Sequence, residues 1–332
     1  VIIDVHAHIA HPDLLARYPM PPSLGDVDGM IEAKAAAGID LSIVGSPTGA
    51  ATMVPVPGVD TYRQPADQLR AFHDWLAGTV AERREHLRAY AWCNAFADDR
   101  QLAEAADTVR AGGFVGIMAN TSVQGEYLDS PRADGFFAMA EELGVPVMLH
   151  PGSDPAACQG VKDYGLVEMA GRYCDVTMGL AAIVLSGRLE RHPGVRILGA
   201  SGGGALALLA RRLDLAWQPR HWDAGPAAPA GPARPAKAGP PGLRPAARST
   251  VRPSELVRQL YVDTTADGWT PVAMDIDVFG ADHVLFGTDS PPLPVNFPAA
   301  VESLHRLDDQ QRDAVLSGNA AHLFELTPAR AT

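Results

Sequence analysis

Short apolar runs of strand length recur along the chain, each followed by a longer stretch whose apolar positions return every three or four residues. Eight runs stand out: Val1 to Val5, Leu41 to Val44, Leu87 to Trp92, Phe114 to Met118, Val145 to Leu149, Val195 to Leu198, Leu260 to Val262 and Val284 to Phe286. Between them, Gln101 to Ala111, Asp134 to Leu143 and Leu180 to Arg191 carry the period of amphipathic helices. Strand alternating with helix implies right-handed crossovers and a parallel sheet. Eight such units predict an α/β fold, a closed (β/α)8 TIM barrel, with helix after Leu304 packed outside it. One barrel domain accounts for all 332 residues, because this fold reaches that length as a single unit.

One segment breaks the rhythm. From 224 to 252 the chain is dominated by Ala, Pro and Gly, with almost no large apolar side chain. Such a composition buries too little surface to offset the entropy of ordering it. It reads as a flexible insertion between the sixth and seventh strands, either a lid on the active-site face or a tolerated loop without a role.

Composition narrows the function classes. Hydrophobic residues at 47% and charged residues at 20% are ordinary for a globular chain. A net charge of -12 opposes nucleic-acid binding, which rests on Lys and Arg neutralising phosphates. No run approaches the roughly 20 apolar residues of a membrane helix, and Val1 to His6 reads as a strand rather than a secretory leader. A cytoplasmic protein is expected. The three cysteines, Cys93, Cys158 and Cys174, lack CxxC spacing and predict neither a disulfide framework nor a thiolate metal site.

In a barrel of this kind the chemistry sits at the C-terminal ends of the strands, so metal-binding side chains are expected where the apolar runs stop. The first run ends Asp4-Val5-His6-Ala7-His8, and side chains two apart on a strand share a face. The fifth ends Leu149-His150-Pro151, and the eighth leads through Phe286-Gly287-Thr288 to Asp289. Taken singly, His150 and Asp289 are equally a capping and a turn residue. Together, His6, His8, His150 and Asp289 form a three-imidazole, one-carboxylate set suited to one divalent metal ion at the C-terminal face, Zn2+ first, with Mn2+ and Fe2+ as alternatives.

This ligand set resembles that of the amidohydrolase superfamily, and the surrounding sequence is similar to its aminocarboxymuconate-semialdehyde decarboxylase-related branch. The likeness extends to Gly113-Phe114-Val115-Gly116-Ile117, to Leu189 through Ile197, to Gly202-Gly203-Gly204-Ala205-Leu206, to Leu260-Tyr261-Val262-Asp263-Thr264 and to Gly318-Asn319-Ala320-Ala321. It covers nearly the whole chain outside the Ala/Pro/Gly segment. Binuclear members of the superfamily carry a bridging lysine at the end of strand four; here the chain reads Gly116-Ile117-Met118-Ala119-Asn120, which implies a single ion and leaves Asn120 as a candidate substrate contact.

The resemblance implies non-oxidative decarboxylation of an unsaturated or aromatic carboxylate by a homodimer, with hydrolysis of an amide, lactone or cyclic substrate as the alternative. It also exposes a departure. Where the branch has an acid/base histidine after strand six, this chain has Ser201, and a hydroxyl lacks the near-neutral pKa that makes imidazole a proton carrier. Catalysis then falls to Asp289, with Ser201 at the site, or to a nearby His11, Asp154 or Asp267; otherwise the protein is a silent or engineered variant that binds ligand without turnover. The branch's carboxylate-binding arginines are absent from Gly45 to Gly58, but Arg211, Arg212 and Arg220 follow strand six. Arg212 resembles an arginine that reaches a neighbouring subunit's site, and Arg212 and Arg220 are the candidate anchors for a small carboxylate substrate.

Overall fold

The computed structural model of the protein describes residues 1–158, 163–217, 249–266 and 268–326. Arg220, Asp267 and residues 224–248 of the Ala/Pro/Gly segment lie outside the described residues.

Each apolar run contributes a strand: β1 (Ile3–His8), β2 (Leu41–Gly45), β3 (Leu87–Trp92), β4 (Phe114–Asn120), β5 (Val147–His150), β6 (Ile197–Gly199), β7 (Tyr261–Asp263) and β8 (Val284–Leu285). They pair in parallel in chain order as one eight-stranded sheet. The chain that follows β8 closes the circuit against β1: the Val5 N–H donates to the Phe286 carbonyl at 2.9 Å and the Asp289 N–H to the His6 carbonyl at 2.7 Å. A small antiparallel hairpin, Ser122–Val123 with Glu126–Tyr127, stands apart from the barrel.

Alternation along the strands sorts the core into layers. Ile3, Val5, Ile43, Tyr90, Met118, Met148, Leu198 and Leu285 form one buried cluster inside the barrel. Their neighbours Ile117, Ala119, Val147, Leu149, Ile197, Val262 and Val284 pack outward with Phe136, Phe137 and Leu180. This is the period of two expected of strands buried on both faces.

In β1 that alternation changes phase. The pairing with β2 shifts between Asp4 and Ala7, so an extra residue is accommodated in β1. Below the bulge Ile3 and Val5 face inward; above it Ala7 and Ile9 pack with the outer cluster, and His6 and His8 take the interior. The Asp4 carboxylate accepts the His6 N–H at 2.9 Å, and the Val5 carbonyl accepts the fully buried Tyr90 hydroxyl at 2.8 Å. The irregular backbone is thus hydrogen-bonded rather than orphaned, which avoids about 1–3 kcal/mol per buried polar group.

Two expectations are corrected. The segment from Leu180 to Arg191 is not one helix: Arg172–Leu185 starts earlier, and Gly187, at φ 75°, separates it from the short Arg188–Arg191. The chain after Leu304 does not lie wholly outside the barrel, because Ala320, Leu323 and Phe324 join the interior cluster and fill its N-terminal end. Apolar side chains there cover Ile3 and its neighbours, which would otherwise face water.

Candidate metal centre

The phase change in β1 delivers His6 and His8 to the same spot as His150, which continues the inward face of Met148 on β5, and Asp289, which follows β8. Each imidazole is tied at Nδ1. His6 Nδ1 bonds the Asp263 carboxylate at 2.6 Å, His8 Nδ1 faces the Gly45 carbonyl at 3.3 Å, and His150 Nδ1 faces the Pro151 carbonyl at 2.8 Å. A ring that donates through Nδ1 presents a lone pair at Nε2, the form a metal requires.

Those Nε2 atoms converge. His6 and His8 stand 3.1 Å apart at Nε2, and Asp289 Oδ1 lies 3.4 Å from His6 Nε2 and 3.0 Å from His8 Nε2. One ligand atom from each of His6, His8, His150 and Asp289 falls within a set no more than 4.8 Å across. Donors placed about 2.0–2.2 Å from a common ion stand roughly 3–3.5 Å from one another in tetrahedral geometry, so the residues present fit one divalent ion. No second such group occurs among the described residues, and β4 ends in Asn120, with no lysine to bridge two ions.

The charges suit this role. Burial, with the neighbouring His8 and His6, drives His150 well below the usual histidine range, and burial likewise depresses His8. Burial would lower His6 too, but the carboxylates of Asp289 and Asp263 outweigh it and raise it. Asp289 is held ionised, well below the usual carboxylate range, because His6, His8 and His150 overcome the cost of its burial. Two neutral imidazoles, one imidazole shared with an outer carboxylate, and one ionised carboxylate form a site with unneutralised negative charge, which a cation relieves.

A second layer holds the ligands. Asp263 accepts from His6 at Oδ2 and also from the Ser201, Gly202 and Thr265 N–H groups at 3.2, 2.8 and 3.0 Å. Asp4, on the outer face of β1, accepts from Lys34 Nζ at 2.6 Å, from Thr288 Oγ1 at 2.6 Å and from the Thr288 N–H at 3.1 Å. It therefore joins the strand bearing His6 to the segment bearing Asp289. Gly287 lets that segment pass close to His6 and its Asp263 partner, since a Cβ there would stand 2.8 Å from the Asp263 Cβ and 3.1 Å from the His6 Cβ. Both Ser201 (φ 55°) and Asp289 (φ 53°) adopt left-handed backbone, a strain that functional sites tolerate.

Three of the ligands, His8, His150 and Asp289, open onto a cavity of about 790 Å3, lined also by Ser201, Arg172, Met53, Thr265 and Leu293, and His6 lies buried behind them. Not every sequence candidate reaches it. Asn120 is fully buried with its amide donating to the Pro47 and His150 carbonyls at 2.7 and 3.3 Å, which fixes loops rather than facing the cavity. Arg212 is exposed on the outer helix Leu206–Trp217. His11 caps the helix Pro12–Arg17 by accepting the Asp13 N–H and meets the Trp75 ring edge-on, and Asp154 is exposed. Sequence reasoning gave no role to Asp263, although it too ends an apolar run, and gave none to Arg172, Asp4 or Lys34, whose helix and strand positions carry no comparable signal.

Known proteins bear on this geometry. Over 218 residues the chain is 23% identical to 2-amino-3-carboxymuconate-6-semialdehyde decarboxylase of Dictyostelium discoideum, a match spanning 65% of this chain and 55% of that relative. It is 28% identical over 275 residues to gamma-resorcylate decarboxylase of Rhodococcus jostii (strain RHA1), covering 78% of this chain and 77% of the relative. The fold matches the dihydroxybenzoic acid decarboxylase of Polaromonas sp. JS666, solved with manganese and the inhibitor 2-nitroresorcinol, with a TM-score of 0.74 at 20% identity over 99% of this chain and 98% of that one. The family model described as amidohydrolase matches residues 3–326, and the chain belongs to that family.

Proposed function

We propose that this enzyme removes CO2 without oxidation from an aromatic or unsaturated carboxylate. The observation that carries the reading is the convergence of His6, His8, His150 and Asp289, the last three at the floor of a cavity with largely apolar walls, joined to relatives named for such decarboxylations. A divalent ion held there would attract substrate oxygens and offset the negative charge that develops as the carbon–carbon bond breaks. The carbon that loses CO2 takes up a proton in exchange. Both close imidazole contacts of Asp289 go to Oδ1, which leaves Oδ2 uncommitted; because the carboxylate is held ionised, we assign Asp289 as the relay that takes a proton from a substrate hydroxyl or water and passes it to that carbon. Ser201 bounds the cavity, where its hydroxyl is placed to hydrogen-bond substrate but does not act as a proton carrier at neutral pH.

Zinc is the ion we infer from three imidazoles and one carboxylate; manganese is the ion in the Polaromonas protein. A homodimer is the assembly we infer: Leu208 and Leu215 stand 69% and 55% exposed on the helix that also carries exposed Arg212, and Met178 is 52% exposed on the helix packed beside it. Apolar side chains so exposed on adjacent helices suit a second copy of the chain. Free cysteines at 93, 158 and 174 fit a reducing cytoplasm, and no described helix is long and apolar enough to cross a membrane.

The test is CO2 release from a panel of hydroxybenzoates and unsaturated dicarboxylates by protein loaded with zinc or manganese. Turnover lost on chelation and in Asp289→Asn supports the reading. Ser201 favours a second reading, a barrel that binds but does not turn over; CO2 released only after Ser201→His would establish that one instead.

A further inference from the structure

Arg172 opens the helix Arg172–Leu185 and borders the cavity together with His8, His150, Ser201 and Asp289. It is the one Lys or Arg among the described lining residues. It stands near enough to His150 for its charge to help depress that imidazole. Yet it makes no ion pair with any described carboxylate: its one bond is a long one, Nη2 to the Met53 carbonyl at 3.5 Å, and its Nε is buried without a partner.

A buried guanidinium N–H left without an acceptor is costly and uncommon in a folded protein. The neighbouring arginines of the fold are satisfied in the usual way, as Arg188 is by Asp134 and by the Leu128 and Ser130 carbonyls. Arg172 differs in facing a cavity that already contains the metal ligands. A planar fork of donors meets a carboxylate with two parallel hydrogen bonds, an arrangement that lysine cannot reproduce. Arg212 is exposed on an outer helix and does not border this cavity. Apolar side chains complete the walls, among them Met53, Val272, Leu293 and Val295, which suit the body of an aromatic ring.

We propose that Arg172 is the substrate-anchoring residue of this enzyme, gripping a carboxylate of the bound substrate through its free donors on the wall beside His150, so that the carbon bearing it stays next to the metal centre. This rests on the decarboxylase reading for the identity of the substrate, but the anion site itself is tested by binding alone. Its side chain reaches the cavity from the loop and helix after β5, so it supplies a cation that the segment from Gly45 to Gly58 does not.

Isothermal titration of the manganese-loaded protein with two matched pairs, benzoate against benzamide and 2,6-dihydroxybenzoate against resorcinol, decides it. The wild type prefers the carboxylate of each pair. Arg172→Gln weakens the carboxylates about 10- to 100-fold, as expected for a lost charge-assisted pair, and leaves benzamide and resorcinol within about twofold; Arg172→Lys recovers part of the loss. Metal content and melting temperature stay at wild-type values. An unchanged carboxylate preference in Arg172→Gln, an equal loss for both members of a pair, or no preference in the wild type overturns the assignment. CO2 release by the wild type is read separately, so an overturned anchor with turnover intact leaves the decarboxylase reading standing, and an anchor upheld without turnover leaves an anion-binding barrel.

Discussion

Replacing Asp263 by Asn keeps its shape and removes its charge, and the hydrogen bonds around it make the outcome calculable. Oδ2 accepts from His6 Nδ1 and from the Ser201 N–H, and Oδ1 accepts from the Gly202 and Thr265 N–H groups. Neither orientation of an amide satisfies this set, because its NH2 always faces two donors. With the amide oxygen toward His6 the imidazole keeps its tautomer, but the Gly202 and Thr265 N–H groups, after β6 and β7, lose their acceptor; in the other orientation His6 is pushed to carry its proton on Nε2, where the metal should be. Loss of such an outer partner lowers metal affinity by about 10- to 100-fold, or roughly 1.4–2.7 kcal/mol. The unpaired donors add about 1–3 kcal/mol of lost fold stability. Competition for zinc against a chromophoric chelator measures the first quantity, and urea unfolding of the metal-free proteins measures the second. Metal affinity within about twofold of wild type, with metal-free stability unchanged, would refute the reasoning that Asp263 fixes the His6 ligand.

Burial, reinforced by the Asp263 carboxylate, pushes Asp275 up to about 8 from an ordinary 3.8, and its Oδ2 has no partner. Below pH ~4 the carboxyl is protonated folded or unfolded and costs nothing; as pH rises toward ~8 only the unfolded chain ionises, so native stability falls by roughly 4 kcal/mol at pH 7. Asp275→Asn therefore stabilises increasingly between pH 4.5 and 7.5 in urea titrations, and a gain independent of pH would contradict this. Lys34→Met strands the buried Asp4 carboxylate without its cation and should cost about 3–5 kcal/mol; chemical denaturation showing less than about 1 kcal/mol would discount the network.

The eightfold rhythm was legible because strands buried on both faces read as continuous apolar runs, and the four ligands were legible because each stands where such a run stops. The reason His6 and His8 face the axis was not. Strict alternation from Ile3 and Val5 would turn both imidazoles outward, and only the extra residue taken up before Ala7 reverses the phase; nothing in Asp4-Val5-His6-Ala7-His8 marks a bulge. Asp263 obeys the same rule as the ligands, but a carboxylate after a strand reads equally well as a turn until His6, distant in sequence, is seen beside it. Helix residues were harder still. Arg212 and Arg172 share a residue type and a helical setting, and only the direction in which each helix faces separates an exposed cation from one at the cavity.

The seam between the first strand and the chain after the eighth has a bearing on biosynthesis. Asp4 and Thr288 lie 284 positions apart, the metal ligands straddle the same seam, and the plug of Ala320, Leu323 and Phe324 is made later still. A ribosome-bound chain emerging from its N-terminus can form successive βα units, yet it cannot assemble the full ligand set until the eighth strand and Asp289 have been translated. Metal capture therefore reports on a completed barrel: fragments and prematurely terminated chains hold histidines but no site, and the cell's metal supply stabilises only finished molecules.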